Sequence, residues 1–240
     1  MISAKRLINE FDRKFDRFDG QYKKTIRVEH KLAILNEALM AYFNNRVRIA
    51  ETNSQVREDL RPLEVKEKSL KISIRKDDYV IAENPKDAYL ILRRKVIAGR
   101  EGCKSKELPV YMFQTNDLNN ALKNPFWKSS FEWEQIIGDE GSGGLYLWHN
   151  KEFNIEQVIV DYYKSPEVIK CASCTDSGSY EDLDGKIITK DVGIIFDSTV
   201  VMHDILDIAV LMARRDLGDS MDYATALKSI LEIKELDTKY

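Results

Sequence analysis

The chain has 240 residues, of which 43% are hydrophobic and 32% are charged, and its formal net charge is −3. This is the composition of an ordinary soluble protein with enough apolar residues for a hydrophobic core. No apolar run approaches the roughly 20 residues that a membrane span requires, and residues 1–18 lack the apolar block of a signal peptide. Three cysteines are too few for a disulfide scaffold, so we expect a protein of a reducing cytoplasm with no membrane partner.

Charge is distributed unevenly along the chain. Residues 1–135 contain 27 Lys and Arg against 20 Asp and Glu, whereas residues 136–240 contain 10 against 20. A basic half and an acidic half on one molecule favour head-to-tail contacts between copies, and such contacts form rings when the rotation closes. The alternative is that the two halves intermix in space, so that no charge separation survives folding.

The N-terminal residues predict a first helix over residues 2–18, with Ser3 as its N-cap and Asp19-Gly20 as its end. Because only a short connection follows, we expect this helix to pair with the next one as an antiparallel hairpin. The apolar stripe that supports the helix consists of Leu7, Ile8, Phe11, Phe15 and Phe18.

The segment 27–63 is interpreted as one long helix, and Pro62 ends the helical region. Its first half has helical apolar spacing, whereas residues 50–61 are mostly polar. A helix that turns polar in this way extends beyond its own core towards a neighbouring molecule. The alternative is a helix that ends near Ala50, with the polar run as a loop. The apolar stripe consists of Val28, Leu32, Leu35, Leu39, Tyr42, Phe43 and Val47.

Residues 65–170 change to a two-residue period and predict a β-rich middle region. Residues 88–98 fit neither the helix nor the strand pattern cleanly. Residues 115–122 predict a short helix with Thr115 or Asn116 as N-cap, and the segment 138–144 predicts a hairpin or loop tip. The predicted strands lie at 70–74, 79–82, 103–114, 145–148 and 157–163.

The C-terminal part predicts a polar loop over residues 171–197 and then two helices. The first helix covers residues 198–217, and its buried face consists of Val201, Ile205, Ile208, Ala209 and Met212. Gly218 ends that helix, and Ser220 caps the last one. The apolar face of the last helix consists of Tyr223, Leu227, Ile230 and Leu231.

These elements predict an α+β fold in which helices from both ends of the chain form one bundle, and a β-rich middle region is inserted between them. The predicted divisions are a helical hairpin at 1–64, the β-rich region at 65–170, the polar loop at 171–197 and the helices that complete the bundle at 198–240.

The segment from Cys171 to Cys174 is a C-x-x-C motif. A zinc site needs two more ligands, and the nearest histidines in the sequence are His149 and His203. A thioredoxin-like role needs a strand before the motif and a helix directly after it, whereas a loop follows here. We interpret the two cysteines as incidental loop residues and keep a zinc-binding or hydrolytic enzyme as the alternative.

Other motifs carry weaker signals. The Gly-rich segment 138–144 lacks the Gly-Lys-Ser/Thr that a P-loop needs, and its acidic residues would repel phosphate. The basic runs 93–95 and 104–106 could form a nucleic-acid patch but have no aromatic platform, so surface solubility is the preferred interpretation. An acidic loop is interpreted as solvated because it lacks the calcium-binding pattern; its carboxylates are Asp176, Glu181, Asp182 and Asp184.

The histidines stand apart from any nucleophile in the sequence. His30 opens a helix, His149 ends a strand, and His203 lies in the C-terminal helix beside Asp204. Neither a Ser/His/Asp nor a Cys/His arrangement is indicated. We therefore predict no catalytic, cofactor-binding or metal-binding residues and no enzymatic activity.

Four blocks of the sequence carry a family resemblance. They are residues 48–66, residues 117–126 with 130–133, residues 158–166 with the Tyr162-x-x-x-Pro end, and residues 182–185 followed by the helix 198–217. Together they resemble, in order and over most of the chain, virion structural proteins of crAss-like bacteriophages. None of the blocks is a catalytic signature.

The resemblance implies a subunit of a head-to-tail connector or tail ring, similar to the head-tail adaptors of short-tailed phages. Such rings have about twelve copies, lie below the portal at one capsid vertex, and contact the portal protein and neighbouring ring proteins. Genomic DNA passes through their channel without sequence-specific binding. The implied location is the virion, with assembly in the host cytoplasm, and no activity or cofactor is implied. The Cys171/Cys174 enzyme and a DNA-packaging accessory that binds through residues 93–95 remain the alternatives.

Overall fold

The computed structural model describes residues 1–18, 26–50, 52–149, 151, 153–175, 177–182 and 184–216. Over these residues the chain has a mixed α/β fold with five α-helices and ten β-strands. The helices are α1 (Ala4–Phe18), α2 (Val28–Ala50), α3 (Ser54–Leu60), α4 (Thr115–Lys123) and α5 (Thr199–Asp216). The strands are β1 (Glu64–Leu70), β2 (Ile72–Arg75), β3 (Tyr79–Ala82), β4 (Ala88–Gly99), β5 (Lys106–Met112), β6 (Ile136–Gly141), β7 (Gly144–Trp148), β8 (Asn154–Lys164), β9 (Tyr180–Glu181) and β10 (Ile187–Ile188).

The chain divides into two compact units. The helical unit comes from both ends of the chain, Met1–Leu63 and Pro166–Tyr240, and the β unit is the continuous segment Glu64–Ser165. Among the described residues, the helical unit contains α1, α2, α3, α5 and the β9–β10 hairpin, and the β unit contains the other eight strands and α4. No helix in the described part of the chain is long and apolar enough to cross a membrane.

The charge asymmetry along the sequence does not follow this division. The boundary at residue 135 lies inside the β unit, directly before β6. Residues 64–165 contain 16 Lys and Arg against 16 Asp and Glu, so the β unit is neutral overall. The basic and the acidic part of the sequence therefore both contribute residues to the β unit.

The first helix forms as its sequence predicts. The side chains of Leu7, Phe11 and Phe15 are buried, and the Ser3 hydroxyl accepts a hydrogen bond from the Arg6 N–H at 3.4 Å. Before the helix, Ile2 exchanges backbone hydrogen bonds of 3.0 Å in both directions with Ile194. The two sequence segments of the helical unit are thus joined by backbone pairing.

The single long helix predicted over residues 27–63 is wrong. The alternative is confirmed in its helix end near Ala50 and is wrong in placing a loop after it, because residues 54–60 form a second helix. Helix α2 ends at Ala50, and the N–H groups of Thr52 and Asn53 both donate to the Ile49 carbonyl. The Asn53 side chain then accepts the Gln55 N–H at 2.9 Å and caps α3. A capping residue inside the polar run therefore starts a second helix.

Helix α5 confirms the predicted buried face. Val201, Ile205, Ile208, Ala209 and Met212 are all buried, and α5 packs against both α1 and α2. The last predicted helix, with Ser220 and its apolar face, lies outside the described residues. The expected polar loop 171–197 contains the short β9–β10 hairpin and a 3-10 turn at Ala172–Cys174.

The eight strands of the β unit form one sheet in the order β1-β8-β4-β5-β6-β7-β3-β2. Only Lys71 separates β1 from β2, although these strands lie at opposite ends of the order. The sheet must therefore curl, and the Arg75 guanidinium of β2 donates to the Ile155 carbonyl of β8 at 2.6 Å. The core lies on the inner face of this curled sheet and includes Val96, Leu108, Ile136, Leu147 and Val158.

The segment 88–98, whose sequence fitted neither the helix nor the strand pattern, lies in the long strand β4 between β5 and β8. The segment 138–144 contains the turn of the β6–β7 hairpin, as predicted. Helix α4 forms where expected, but its N-cap is Gln114, which makes no side-chain capping bond, rather than Thr115 or Asn116.

Candidate interaction surface

Three large aromatic side chains lie together in sequence and are exposed on the β unit. Phe126 is 70% exposed, Trp127 is 50% exposed and Trp133 is 58% exposed. We call these three residues the aromatic surface. Clustered exposed aromatic residues are unusual on a protein that has no partner, because aromatic side chains dominate the energetics of interfaces.

The loop that carries the aromatic surface belongs to a crossover connection. Strands β5 and β6 pair in parallel, so the chain between them must return across the sheet. Helix α4 forms the first half of this connection, and its Leu118 and Ala121 pack against Ile137 of β6. The aromatic loop, residues 124–135, forms the second half.

Hydrogen bonds fix the backbone of this loop. The Asn124 side chain accepts the Phe126 N–H at 3.0 Å, and the Asn124 carbonyl accepts the N–H groups of Trp127 and Lys128. The Gln135 side-chain amide donates to the carbonyls of Phe126 and Lys128 at 2.9 and 3.1 Å. The aromatic residues are therefore presented by an ordered turn.

The inner side of the same loop is anchored in the core. Phe131 is only 4% exposed, and its ring lies 6.0 Å from that of Phe153. The buried Ser129 hydroxyl accepts the Ile137 N–H at 2.9 Å and donates to the Trp148 carbonyl. One loop thus buries Phe131 and exposes the aromatic surface, so the exposure is a property of the fold.

The rings of the aromatic surface contact one another and their neighbours. The rings of Phe126 and Trp133 stack at 6.2 Å with an interplanar angle of 23°. The Trp127 ring meets Phe113 edge to face at 5.7 Å. These contacts restrict the side chains, which lowers the entropic cost of binding a partner.

Charged residues surround the aromatic surface, and its acidic neighbours are already paired. Glu134 accepts Lys106 Nζ at 2.9 Å, and Glu132 lies 3.6 Å from the Arg100 guanidinium. Lys106 Nζ also lies 5.3 Å from the Phe131 ring centre. The ion pairs neutralise both glutamates at the border of the surface.

A pocket of about 630 Å³ lies at the start of α4. Phe113 lines it and also contacts Trp127, so the pocket adjoins the aromatic surface. The charged groups at the pocket are Arg94, which pairs with Glu140, and Asp139, which the Thr115 hydroxyl approaches at 3.4 Å. The Arg94 Nε atom is buried and has no hydrogen-bond partner within the described part of the chain, although the guanidinium pairs with Glu140.

The basic run 93–95, which was considered as a nucleic-acid patch, is neutralised within the β unit. Arg93 pairs with Asp161 at 2.9 Å, and Lys95 pairs with Glu67 and Glu107 at 3.1 and 2.9 Å. Asp161 also accepts the Glu67 N–H at 2.7 Å, in a β1 bulge where Glu67 has φ 53°. This network orders the outer face of the sheet.

Cys171 and Cys174 form a disulfide with their Cα atoms 5.4 Å apart. The interpretation of the two cysteines as incidental loop residues did not include this bond. The short loop is held by Asp191, which accepts the Ser173 N–H at 3.0 Å; the hydroxyl and N–H of Ser173 lower the pKa of this carboxyl. A zinc site needs thiolates, and the disulfide removes both.

The histidines do not complete a site with these cysteines. His149 belongs to the β unit, where its ring lies 6.0 Å from that of Phe153. His203 lies in α5, and its carbonyl accepts Lys14 Nζ at 3.3 Å. Within the residues that the structure describes, no group of three or more His, Cys, Asp and Glu side chains could hold a metal ion.

The candidate calcium residues have structural roles where they are described. The Asp182 carboxylate accepts the N–H groups of Asp184 and Lys186 at 3.0 and 2.9 Å and fixes the β9–β10 turn. Glu181 lies in β9. Asp176 lies outside the described residues. We define the acidic hairpin as residues 180–188, which include three of the four carboxylates.

The helical unit contains a buried ionic cluster that the sequence did not indicate. Arg46 of α2 and Asp204 of α5 are each 6% exposed and pair at 3.3 Å. Burial raises the pKa of Asp59 in α3; Arg46 opposes this shift and Asp204 adds to it. The cluster connects three helices and is best explained as a structural element.

The sequence contained one usable signal for the aromatic surface. All three tryptophans lie in residues 126–148, but a loop has no period from which exposure can be read. Comparison with protein-family models gives no match, and comparison with curated protein sequences gives no significant match. The function must therefore be inferred from the surfaces themselves and from the sequence resemblance.

Proposed function

We propose that this chain is a structural virion protein: one subunit of an oligomeric ring in a bacteriophage head-to-tail connector or tail, which joins the portal to the tail and forms part of the DNA passage. The observation that carries the proposal is the aromatic surface. Three exposed aromatic side chains on an ordered, core-anchored loop form a surface suited to binding another protein.

The fold is consistent with this assignment. We propose that α1, α2 and α5 act as one helical bundle into which the chain inserts the β unit. The bundle is joined by ion pairs between helices, such as Lys31 to Asp12 at 2.7 Å and Lys14 to Asp207 at 2.5 Å. An inserted unit with its own core offers binding surfaces without disturbing the bundle that supports it.

The alternatives receive less support. A zinc-binding or hydrolytic enzyme would need free thiolates at Cys171 and Cys174, which form a disulfide. A packaging accessory that binds DNA through residues 93–95 would need free cations, whereas all three of these side chains are ion-paired within the β unit. The partners we propose are copies of the chain, the portal protein and neighbouring ring proteins.

Imaging of the assembled protein tests this function directly. The purified chain is mixed with its portal protein and examined by negative-stain electron microscopy and by light scattering. We expect rings of about twelve copies bound to the portal. Purified chain that stays monomeric with and without the portal, or that turns over a small molecule, would contradict the proposal.

Matched variants connect the assembly to the surface. We expect the double variant Phe126→Ser/Trp133→Ser to lose ring formation or portal binding while it keeps its fold. The control double variant Ile74→Ser/Leu92→Ser changes two other exposed apolar residues of the β unit, which are 44% and 38% exposed. It should assemble like the unmodified chain.

A further inference from the structure

The aromatic surface is bordered by positive charge that no acidic side chain neutralises. Glu132 and Glu134 are paired with Arg100 and Lys106. Lys123 at the end of α4 and Lys128 beside Trp127 are exposed, and neither has an ion pair within the described part of the chain. A partner surface should therefore combine apolar area with negative charge.

The acidic hairpin of the helical unit has these complementary properties. Glu181 and Asp184 are exposed, and Asp182 fixes the turn, so its three carboxylates outweigh the single Lys186. Ile187 is 72% exposed, which is the highest exposure of any large apolar side chain described. The hairpin thus presents an apolar residue beside a net negative charge.

The hairpin is ordered, as a docking element should be. Tyr180 and Ile188 are 8% and 5% exposed and anchor its two strands. The Asp182 N–H donates to the Lys186 carbonyl at 3.0 Å, and Gly185, with φ 78°, donates to the Asp182 carbonyl at 3.0 Å. Little conformational entropy remains to be lost when the hairpin binds.

We propose that the acidic hairpin of one copy binds the aromatic surface of the next copy. Ile187 packs on the exposed rings of Phe126 and Trp133. The carboxylates of Glu181 and Asp184 face the ammonium groups of Lys123 and Lys128. The inference rests on the proposed function, because it requires the chain to assemble with its own copies.

The contact is heterologous, since each copy uses two different surfaces. Repetition of such a contact gives a ring if the rotation closes and a filament if it does not. Exposed ion pairs contribute little to binding because solvent screens them, so most of the binding free energy must come from the aromatic rings. We expect weak binding between two free copies and stable binding once several copies are held side by side.

Zero-length cross-linking tests the contact. A carbodiimide joins a lysine amine to a carboxylate only where the two groups touch. Light copies and copies labelled with heavy isotopes are mixed in equal amounts, cross-linked and digested, and the linked peptides are identified by mass spectrometry. We expect mixed-isotope links from Lys123 or Lys128 to Glu181, Asp182 or Asp184.

Charge exchange provides the sharper test. The variant Lys123→Glu/Lys128→Glu has two acidic surfaces, and the variant Glu181→Lys/Asp184→Lys has two basic ones. Each alone should lose self-association in sedimentation velocity experiments, whereas an equal mixture should regain it, because each surface then faces an opposite charge. The control Lys68→Glu/Lys86→Glu makes the same charge change at exposed positions elsewhere on the β unit and should associate like the unmodified chain.

The outcomes separate this contact from the proposed function. The proposed contact would be wrong if copies were cross-linked only through other residues, or if the mixture of charge variants did not regain self-association. Either result would leave the proposed ring assembly intact. A chain that forms no links between copies would overturn both. If Lys123→Glu/Lys128→Glu instead abolishes binding of a thymidine oligonucleotide and leaves self-association unchanged, the aromatic surface is a nucleic-acid site and the contact is wrong.

Discussion

The two units of this protein place charged and aromatic side chains in opposite ways. The helical unit buries the Arg46–Asp204 ion pair between α2 and α5. In the β unit, each ion pair between described residues has at least one exposed side chain, as in Arg93–Asp161, and Phe126 and Trp133 are exposed. We propose that this difference reflects a division of roles, in which buried charge fixes the helices and exposed aromatic rings bind partners. Substitutions in the two units should therefore affect different measurements.

The largest expected effect is in the helical unit. Arg46→Met leaves Asp204 buried without its charged partner, and breaking a buried pair in this way costs about 3–5 kcal/mol. We expect the free energy of unfolding, measured by urea titration with circular dichroism, to fall by about that amount. Ring assembly should fail only to the extent that the chain unfolds.

A matched pair in the same helix provides the control. Lys14 pairs with Asp207 at 2.5 Å, one turn along α5 from Asp204, but the Asp207 side chain is 42% exposed. We expect Lys14→Met to cost about 1 kcal/mol or less, because solvent screens a partly exposed pair. Equal losses for the two variants would show that burial does not separate these two ion pairs.

The aromatic loop allows the same comparison within the β unit. Phe131→Ala removes a ring that is 4% exposed and should destabilise the fold by about 3 kcal/mol, as buried Phe truncations do. Phe126→Ala removes a ring that is 70% exposed and should change stability by about 0.5 kcal/mol or less. Urea unfolding measures both effects. A large stability loss for Phe126→Ala would mean that the ring supports the fold and does not serve binding.

A smaller effect is expected where Ile2 pairs with Ile194. A Cβ atom added at Gly193 would lie 2.0 Å from the Ile2 carbonyl oxygen, a backbone atom that cannot move without breaking the Ile2–Ile194 pairing. Gly193→Ala should therefore lower the free energy of unfolding by about 2 kcal/mol.

Thermal unfolding of Gly193→Ala is compared with that of Gly102→Ala. The comparison separates the clash with the Ile2 carbonyl from the general cost of replacing glycine. Gly102 has φ 75° and open space around its Cβ position, so only the left-handed backbone is penalised, by about 1 kcal/mol. A loss for Gly193→Ala that is no larger than this would show that the N-terminal pairing adds little stability.

The smallest expected effect is a pH dependence. Burial raises the pKa of Asp59 above its ordinary value of 3.8, so the folded chain binds this proton more tightly than the unfolded chain does. The stabilisation is present at low pH and is lost as pH rises through the raised pKa. The variant Asp59→Asn has no carboxyl at this position and does not undergo this loss. The free energy of unfolding of the variant, minus that of the unmodified chain, should therefore increase as pH rises above 3.8.

Measuring the effect of Asp59→Asn on stability against pH in an Arg46→Met background tests how Arg46 affects the pKa of Asp59. Arg46 opposes the shift by attracting the Asp59 carboxylate, so its removal should make the slope with pH steeper. A stability difference that does not change with pH in either background would show that Asp59 is not a buried carboxyl in the folded chain.

The sequence predicted elements with strong periodicity well. The stripes of α1 and α5 gave both the helices and their buried faces, because burial of one side of a helix repeats every three or four residues. For the polar run 50–61, the sequence left open whether the helix ends near Ala50, and it did not predict the separate helix α3. Asn53 caps α3 through one side-chain hydrogen bond, and a polar run has no apolar period that would reveal such a cap.

Only the tertiary structure determined three features of the protein. These are the exposure of the aromatic surface, the positions of β1 and β2 at opposite ends of the sheet, and the Arg46–Asp204 pair. Each depends on which residues distant in sequence become neighbours, and local spacing does not encode that. The sequence by itself determined the order of helical and β-rich segments and the buried faces of α1 and α5. The fold decided which aromatic residues remain in solvent, because a single loop can bury Phe131 and expose Phe126 only when the sheet beneath it is in place.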